Sequence, residues 1–129
     1  MIESDSMNFK EFYITDNDGK SNCVVRSLCK VLNKQYDEVY SDLITISKNL
    51  NCSFNDIEVF EKYMSDNGIN KIDSKEDIIK NLKLDNGTYI VFCYDNEDYY
   101  HMIPIINNVV YDKNDDCLNL YVISIYKKE

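Results

Sequence analysis

The stretch TYIVFCYDNEDYYHMIPIINNVVYD, residues 88–112, decides the fold of this chain. Its apolar runs are rich in aromatic and β-branched residues and are separated by polar turns, a pattern typical of strands. The runs predict strands at residues 89–94, 99–106 and 109–112. Asn107 and Asn108 suit a tight hairpin turn that needs positive φ angles. A fourth run, residues 118–126, follows a polar loop, so residues 88–126 predict an antiparallel β-meander.

The half of the chain before this stretch, residues 22–84, has the apolar spacing of helices. The predicted helices cover residues 22–33 and 36–49, a third segment from the cap Ser53 to the stop Gly68, and a fourth, shorter one that begins at Ser74 and carries Ile78, Ile79 and Leu82. Residues 9–15 predict a short strand or extended segment, and a loop, residues 16–22, follows it. We therefore predict one α+β domain over residues 1–129, with the helices packed on one face of the sheet.

Composition excludes several classes of protein. With 44% apolar and 29% charged residues, the chain is typical of an ordinary soluble domain. No apolar run reaches the roughly 20 residues of a spanning helix, and residues 1–7 are too polar for a secretory signal. Five cysteines without a Cys-x-x-Cys pair, beside one histidine, argue against a disulfide framework and against a zinc site. We therefore expect a protein of the reducing cytoplasm that uses no metal or cofactor and binds no membrane.

The charge balance bears on possible partners. The formal net charge is −9 at pH 7, with 23 acidic residues against 14 lysines and arginines. A chain without a cluster of basic residues releases few counterions from nucleic acid, so we expect no nucleic-acid binding. The acidic surface is compatible with a soluble enzyme, with binding to a basic protein surface, or with mimicry of a polyanion.

The only histidine, His101, lies in the second predicted strand, and Asp112 lies in the third. If residues 107 and 108 form the hairpin turn, paired residues have numbers that sum to 215. Asp112 then lies on the same face of the sheet as His101, one diagonal step away, at about 7–8 Å between backbones. A three-residue loop would instead place the two side chains on opposite faces.

Cys23 stands where the loop gives way to the first helix, and this position suggests a reactive thiol. A helix N-terminus and a nearby imidazolium both lower the pKa of a thiol. His101 is the candidate base, and Asp112, or alternatively Asn114, is the candidate group that orients its ring. Side-chain amides stabilise an oxyanion, and for that role we nominate Asn17, with Asn22 and Ser21 as weaker alternatives.

The same residue types also have ordinary structural roles. A cysteine on a helix is usually a small buried side chain, a lone histidine in a strand is often only hydrogen-bonded, and an asparagine such as Asn17 is common in turns. The eleven tyrosines fit sheet packing, although Tyr94, Tyr99 and Tyr100 are candidates to wall a substrate cleft.

Two groups of motifs resemble the papain-like cysteine peptidase family of small phage and bacterial proteins. Residues 22–28 (NCVVRSL) and 32–40 (LNKQYDEVY) resemble the family's opening, and residues 86–91, 101–102 and 109–112 resemble its second half. The resemblance implies a papain-like fold with Cys23 as nucleophile, His101 as base and Asp112 as orienting group. It also implies an upstream oxyanion amide, for which Asn17 is the candidate. Ser27 and Tyr100 depart from the family pattern, which has smaller residues there.

These observations predict a cysteine-dependent hydrolase or transferase that acts on a peptide, isopeptide or acyl-conjugate bond. The acidic rim favours a basic substrate, and the resemblance suggests a phage-encoded protein of the bacterial cytoplasm. The alternative is a small acidic phage-type inhibitor or accessory protein that binds a host protein without catalysis. A third option, redox sensing by Cys23 and Cys29, is weaker, because six residues of helix separate them by about 9 Å.

Overall fold

The computed structural model describes residues 7–72 and 77–129. Within these residues the chain forms three α-helices and a six-stranded sheet, together with two short 3₁₀ helices, Ile79–Asn81 and Asp115–Asn119. The helices are α1 (Cys23–Leu32), α2 (Tyr36–Leu50) and α3 (Ile57–Asp66). The strands are β1 (Asn8–Glu11), β2 (Ile69–Ile72), β3 (Thr88–Tyr94), β4 (Tyr100–Ile106), β5 (Val109–Asp112) and β6 (Tyr121–Lys128). The predicted α+β class is confirmed.

The sheet has the strand order β1-β5-β4-β3-β6-β2. Strands β3, β4 and β5 form the predicted antiparallel meander, but the prediction is wrong for the last strand. The free edge of β5 is taken by β1, which pairs with it in parallel, with Phe9 opposite Val110. Strand β6 therefore returns across the sheet and pairs antiparallel with β3, with Val91 opposite Ile125.

Helix α1 begins at a side-chain cap. The Oδ1 atom of Asn22 accepts hydrogen bonds from the N–H groups of Val24, at 2.8 Å, and Val25, at 3.4 Å, which satisfies donors that have no partner within the helix. The Ser27 hydroxyl, buried on the same helix, donates to the Met102 carbonyl of β4 at 2.9 Å. This contact fixes the first turns of α1 against the strand that carries His101.

The buried side chains form two clusters. All three α-helices contribute to one, where they pack on Ile90, Met102 and Tyr126 of the sheet. The other contains Val91, Ile103 and further strand residues, but none from an α-helix. The prediction that the helices pack on one face therefore agrees with the structure for α1, α2 and α3.

The fourth predicted helix is reduced to the 3₁₀ turn Ile79–Asn81, and its nominated cap, Ser74, lies outside the described residues. Ile78 forms an isolated bridge with Tyr121, and the N–H of Val122 donates to the Asp77 carbonyl at 2.8 Å. A segment held extended along β6 in this way cannot begin an α-helix. Ile79 and Leu82 consequently pack in the cluster that the α-helices do not reach.

The longest helix, α2, has 15 residues. Across residues 7–72 and 77–129, no helix combines the length and the apolar character needed to span a membrane.

Candidate active site

The hairpin between β4 and β5 brings His101 and Asp112 together. Asn107 and Asn108 form its two-residue turn, with φ angles of 50° and 65°, and Ile105 pairs with Val110 in the predicted register. The Nε2 atom of His101 lies 2.7 Å from Oδ2 of Asp112, and both side chains are buried. The carboxylate therefore fixes the orientation of the imidazole ring.

A third buried polar side chain, Arg26, completes the environment of Asp112. Its Nη2 atom donates to Oδ1 of Asp112 at 3.1 Å, and its Nη1 atom donates to the Ser21 hydroxyl at 2.8 Å. Burial raises the pKa of Asp112, but the hydrogen bond and charge of His101, the Lys113 N–H and the charge of Arg26 outweigh it, so the pKa is lowered. Asp112 is therefore ionised at neutral pH. Arg26 was not among the residues nominated from the sequence.

Cys23 is the first residue of α1 and is half-buried beside His101. Burial raises the pKa of its thiol, but a hydrogen bond with His101, the positive charge of that ring and the Met102 N–H together lower the pKa below its usual value. For His101, burial lowers the pKa, while Asp112 and Cys23 raise it to about 9. The two shifts favour a thiolate–imidazolium pair near neutral pH.

The hydroxyl of Tyr99 lies 3.2 Å from Nδ1 of His101, the ring nitrogen that Asp112 leaves free. The two rings stack with centroids 5.5 Å apart. Burial and the nearby charges of Cys23 and Asp112 raise the pKa of Tyr99, so its hydroxyl stays protonated. Sequence reasoning named Tyr99 only as a cleft wall, whereas the structure places its hydroxyl against the imidazole.

These side chains open into a cleft of about 550 Å³. Cys23, His101, Asp112 and Arg26 line it, and its walls are mainly polar and aromatic. The other lining residues are Tyr13, Ser21, Asn22, Asp95, Tyr99, Tyr100, Lys113, Asn114, Asp116, Cys117 and Leu120. The cleft gives a ligand direct access to the thiol.

The structure does not bring Asn17 to the cleft, contrary to its nomination as the oxyanion amide. Asn17 is exposed in a turn that Asp16 closes, because Oδ1 of Asp16 accepts from the N–H groups of Asp18 at 2.8 Å and Lys20 at 2.9 Å. The alternatives Ser21 and Asn22 both line the cleft. The Oδ1 atom of Asn22 is used as the helix cap, so only its amide nitrogen is available to a ligand.

Two further observations define the polar groups near the thiol. Asn114, the alternative orienting residue, lines the cleft, but its side chain accepts from the Asp116 N–H at 3.1 Å while Asp112 holds the ring of His101. Within residues 7–72 and 77–129, the backbone N–H of Cys23 has no acceptor. A carbonyl oxygen at the N-terminus of α1 would meet that N–H group.

The other cysteines differ from Cys23. All five cysteines are free, and Cys29, Cys93 and Cys117 are buried. Burial raises the pKa of Cys29 to about 11 and that of Cys93 and Cys117 further still. In the described part of the chain no group of three or more potential ligands could hold a metal ion. Cys23 is therefore the cysteine with an activating environment.

Comparison with known proteins adds no family to this geometry. No protein-family model, no curated protein and no solved structure matches the chain.

We expect the imidazole of His101 to titrate with a midpoint at about pH 9 in the folded protein, well above its ordinary 6.5. Because the folded-state pKa is raised, protonation stabilises the fold. That contribution is complete below about pH 6.5 and is lost as the pH rises through 9. The chain has one histidine, so a single Cε1–H resonance in NMR reports the titration. In Asp112→Asn the midpoint should fall, and a wild-type midpoint near 6.5 would contradict the pairing.

Proposed function

We propose that this protein is a cysteine-dependent hydrolase or acyl transferase with a papain-like arrangement, acting on a peptide, isopeptide or acyl-conjugate bond. One observation carries the proposal: Cys23, the first residue of α1, and His101, which Asp112 holds at 2.7 Å, line the same cleft, where the imidazole lowers the pKa of the thiol. Nucleophile, base and orienting group are the three parts of an activated cysteine site. They line one open cleft.

The reaction begins with attack by the Cys23 thiolate on the substrate carbonyl. The new C–S bond forms as the carbonyl π electrons move onto oxygen, where the N–H of Cys23 and the amide of Asn22 are the available donors. The C–N bond, or the C–O or C–S bond of another conjugate, then breaks. The leaving group takes the proton from Nδ1 of His101, and a thioester on Cys23 remains.

The second half of the reaction transfers the acyl group. Neutral His101 accepts a proton from water, or from an amine or thiol acceptor, which attacks the thioester. The C–S bond breaks and the thiolate is regenerated beside the imidazolium. Asp112 stays ionised and keeps the Nε2 hydrogen on its own side of the ring throughout.

We expect a small activated ester, p-nitrophenyl acetate, to give a burst of one equivalent of p-nitrophenol as Cys23 is acetylated. Peptide mapping by mass spectrometry identifies the acetylated residue. The matched control is Cys29→Ser on the same helix, which should keep the burst, whereas Cys23→Ser and His101→Gln should lose it. Acetylation confined to lysines in the wild type would refute the proposal.

A second candidate function is binding of a host protein without catalysis. The net charge of −9 and the exposed tyrosines at one end of the sheet favour it. Under this function, Cys23→Ala leaves activity in the cell intact, while charge reversal of the acidic surface abolishes it. Either function fits a reducing compartment such as the cytoplasm of a bacterial host, because all five cysteines are free.

A further inference from the structure

Three exposed tyrosines form a continuous strip beside the cleft. Tyr94 of β3 lies between its register partners Tyr100 of β4 and Tyr121 of β6. The Tyr94 ring centroid is 6.4 Å from that of Tyr100 and 5.7 Å from that of Tyr121, and all three side chains are between 36% and 56% exposed. Tyr100 also lines the cleft, so the strip continues the surface around Cys23.

The strip differs from five of the chain's eight other tyrosines, whose rings are covered by a cation; of the remaining three, Tyr36 is buried, Tyr40 packs on Phe54 and Tyr99 stacks on His101. Lysine or arginine groups lie over the rings of Tyr13, Tyr63, Tyr89, Tyr111 and Tyr126, at 4.2 to 5.7 Å from the centroids. Among the residues that the structure describes, no cation lies over Tyr94, Tyr100 or Tyr121. Their ring contacts are with one another and with Phe92. Three aromatic faces thus remain open to a cation from outside.

The charge around the strip is negative. The loop that joins β3 to β4, residues 95–98, follows Tyr94 directly and carries Asp95, Glu97 and Asp98. The cations of the adjoining cleft are engaged, since Arg26 pairs with Asp112 and Lys113 lies over Tyr13 at 5.6 Å. An approaching cation therefore meets both a negative potential and open aromatic faces.

The spacing of the rings fits an extended polypeptide. Alternate side chains of an extended chain lie about 6.6 Å apart on one side, close to the 5.7 and 6.4 Å between the ring centroids of the strip. Lysine and arginine both stack over tyrosine, and arginine does so more often. A segment with basic residues at alternate positions would place one over each of two neighbouring rings.

We propose that the strip Tyr94–Tyr100–Tyr121 binds a segment of the polypeptide substrate that carries lysine or arginine at alternate positions, next to the bond held at Cys23. This names the substrate class of the proposed hydrolase and rests on that function. An apolar segment, an acidic segment and a second copy of this chain are the competing occupants. Each gives a different result in the test below.

The test is fluorescence anisotropy of dye-labelled heptapeptides with the Cys23→Ala variant, which binds without turnover. The peptides alternate glycine with lysine, glutamate or leucine. We expect the lysine peptide to bind at least about tenfold more tightly than the other two, and more weakly as salt is added. In the Tyr94→Ser/Tyr121→Ser double variant the affinity should fall by about tenfold. Tyr40→Ser, which removes a comparably exposed tyrosine from α2, is the matched control and should bind normally.

Equal binding of the leucine or glutamate peptide, or unchanged binding by the double variant, would overturn the proposal. So would dimerisation of the peptide-free protein that is lost in the double variant, as seen by analytical ultracentrifugation. Thermal melting followed by circular dichroism checks the fold, and Tyr121→Ser alone replaces the double variant if that variant is unfolded. A failure of the proposed hydrolase function can be told apart from a failure of this proposal. It would appear as a missing acetylation burst in the wild type, and that measurement does not depend on peptide binding.

Discussion

We expect His101→Ala to slow the alkylation of Cys23 by iodoacetamide at least about tenfold near pH 6. In the wild type, the imidazolium lowers the pKa of the thiol against the opposing effect of burial. Without the ring, burial keeps the thiol protonated, so the reactive thiolate becomes scarce. The loss is partly offset because a more basic thiolate is a stronger nucleophile. Mass spectrometry of the peptide that contains Cys23, across a pH series, measures the rate.

Two controls separate the imidazole's charge from a general disturbance of the cleft. Tyr100→Phe changes another cleft residue and should leave the rate almost unchanged, since its hydroxyl has no role in the pair. Asp112→Asn should give an intermediate rate, because the ring remains but its protonated form loses a counter-ion. If Cys23 is half-labelled at the same pH in wild type and His101→Ala, the thiol and the imidazole do not form a pair.

The second large effect is expected from Arg26→Met, which should lower the free energy of unfolding by about 3–5 kcal/mol. Arg26 and Asp112 are both buried and 3.1 Å apart. Removal of the guanidinium leaves the carboxylate buried with fewer partners, and that penalty exceeds the intrinsic value of the pair. Urea denaturation followed by circular dichroism measures the change. Arg26→Lys should lose an intermediate amount of unfolding free energy, because lysine keeps the positive charge but cannot make the two hydrogen bonds of the planar guanidinium.

The control for Arg26→Met is Lys30→Met on the same helix. Lys30 is partly exposed and lies over the Tyr111 ring at 4.2 Å, so its loss should cost about 1 kcal/mol or less. In the double variant Arg26→Met/Asp112→Asn, part of the lost stability should return, because the buried carboxylate that Arg26→Met leaves without its guanidinium partner is also removed. Strictly additive losses in that double variant would mean that the ion pair is not the source of the effect.

The elements that the sequence predicted well have local signals. Asn107 and Asn108 specify a two-residue hairpin turn, and Asn22 specifies the start of α1 because its side chain caps the helix. The pairing of β6 with β3 has no such signal, since it depends on which sheet edge remains free after β1 has taken β5. Strand β2 was missed for a related reason: Ile69 is its only buried residue, so it lacks the alternation of a strand.

The residues of the candidate site also differ in whether a local sequence signal places them. The alternation of side chains along a two-residue hairpin was enough to place His101 and Asp112 on one face of the sheet. The position of Cys23 beside them depends instead on how α1 packs on β4, which the sequence does not show. Arg26 was missed because a charged residue within an apolar helical pattern is ordinarily assigned to the exposed face. The signal that could have identified it was its position between Val25 and Ser27, which are both buried in α1. Asn17 does not reach the cleft because the side chain of its neighbour Asp16 accepts the hydrogen bonds that fix the conformation of the turn.

The strand order also fixes when, during synthesis, Cys23 acquires its partners. Helix α1 leaves the ribosome early, but His101 and Asp112 belong to the last third of the chain, and β3 obtains its second neighbour only from β6, which ends at Lys128. Pairings between distant segments form late. A nascent chain therefore carries Cys23 as an ordinary thiol until β4, β5 and β6 have been synthesised and paired, and the activated group exists only from that point on.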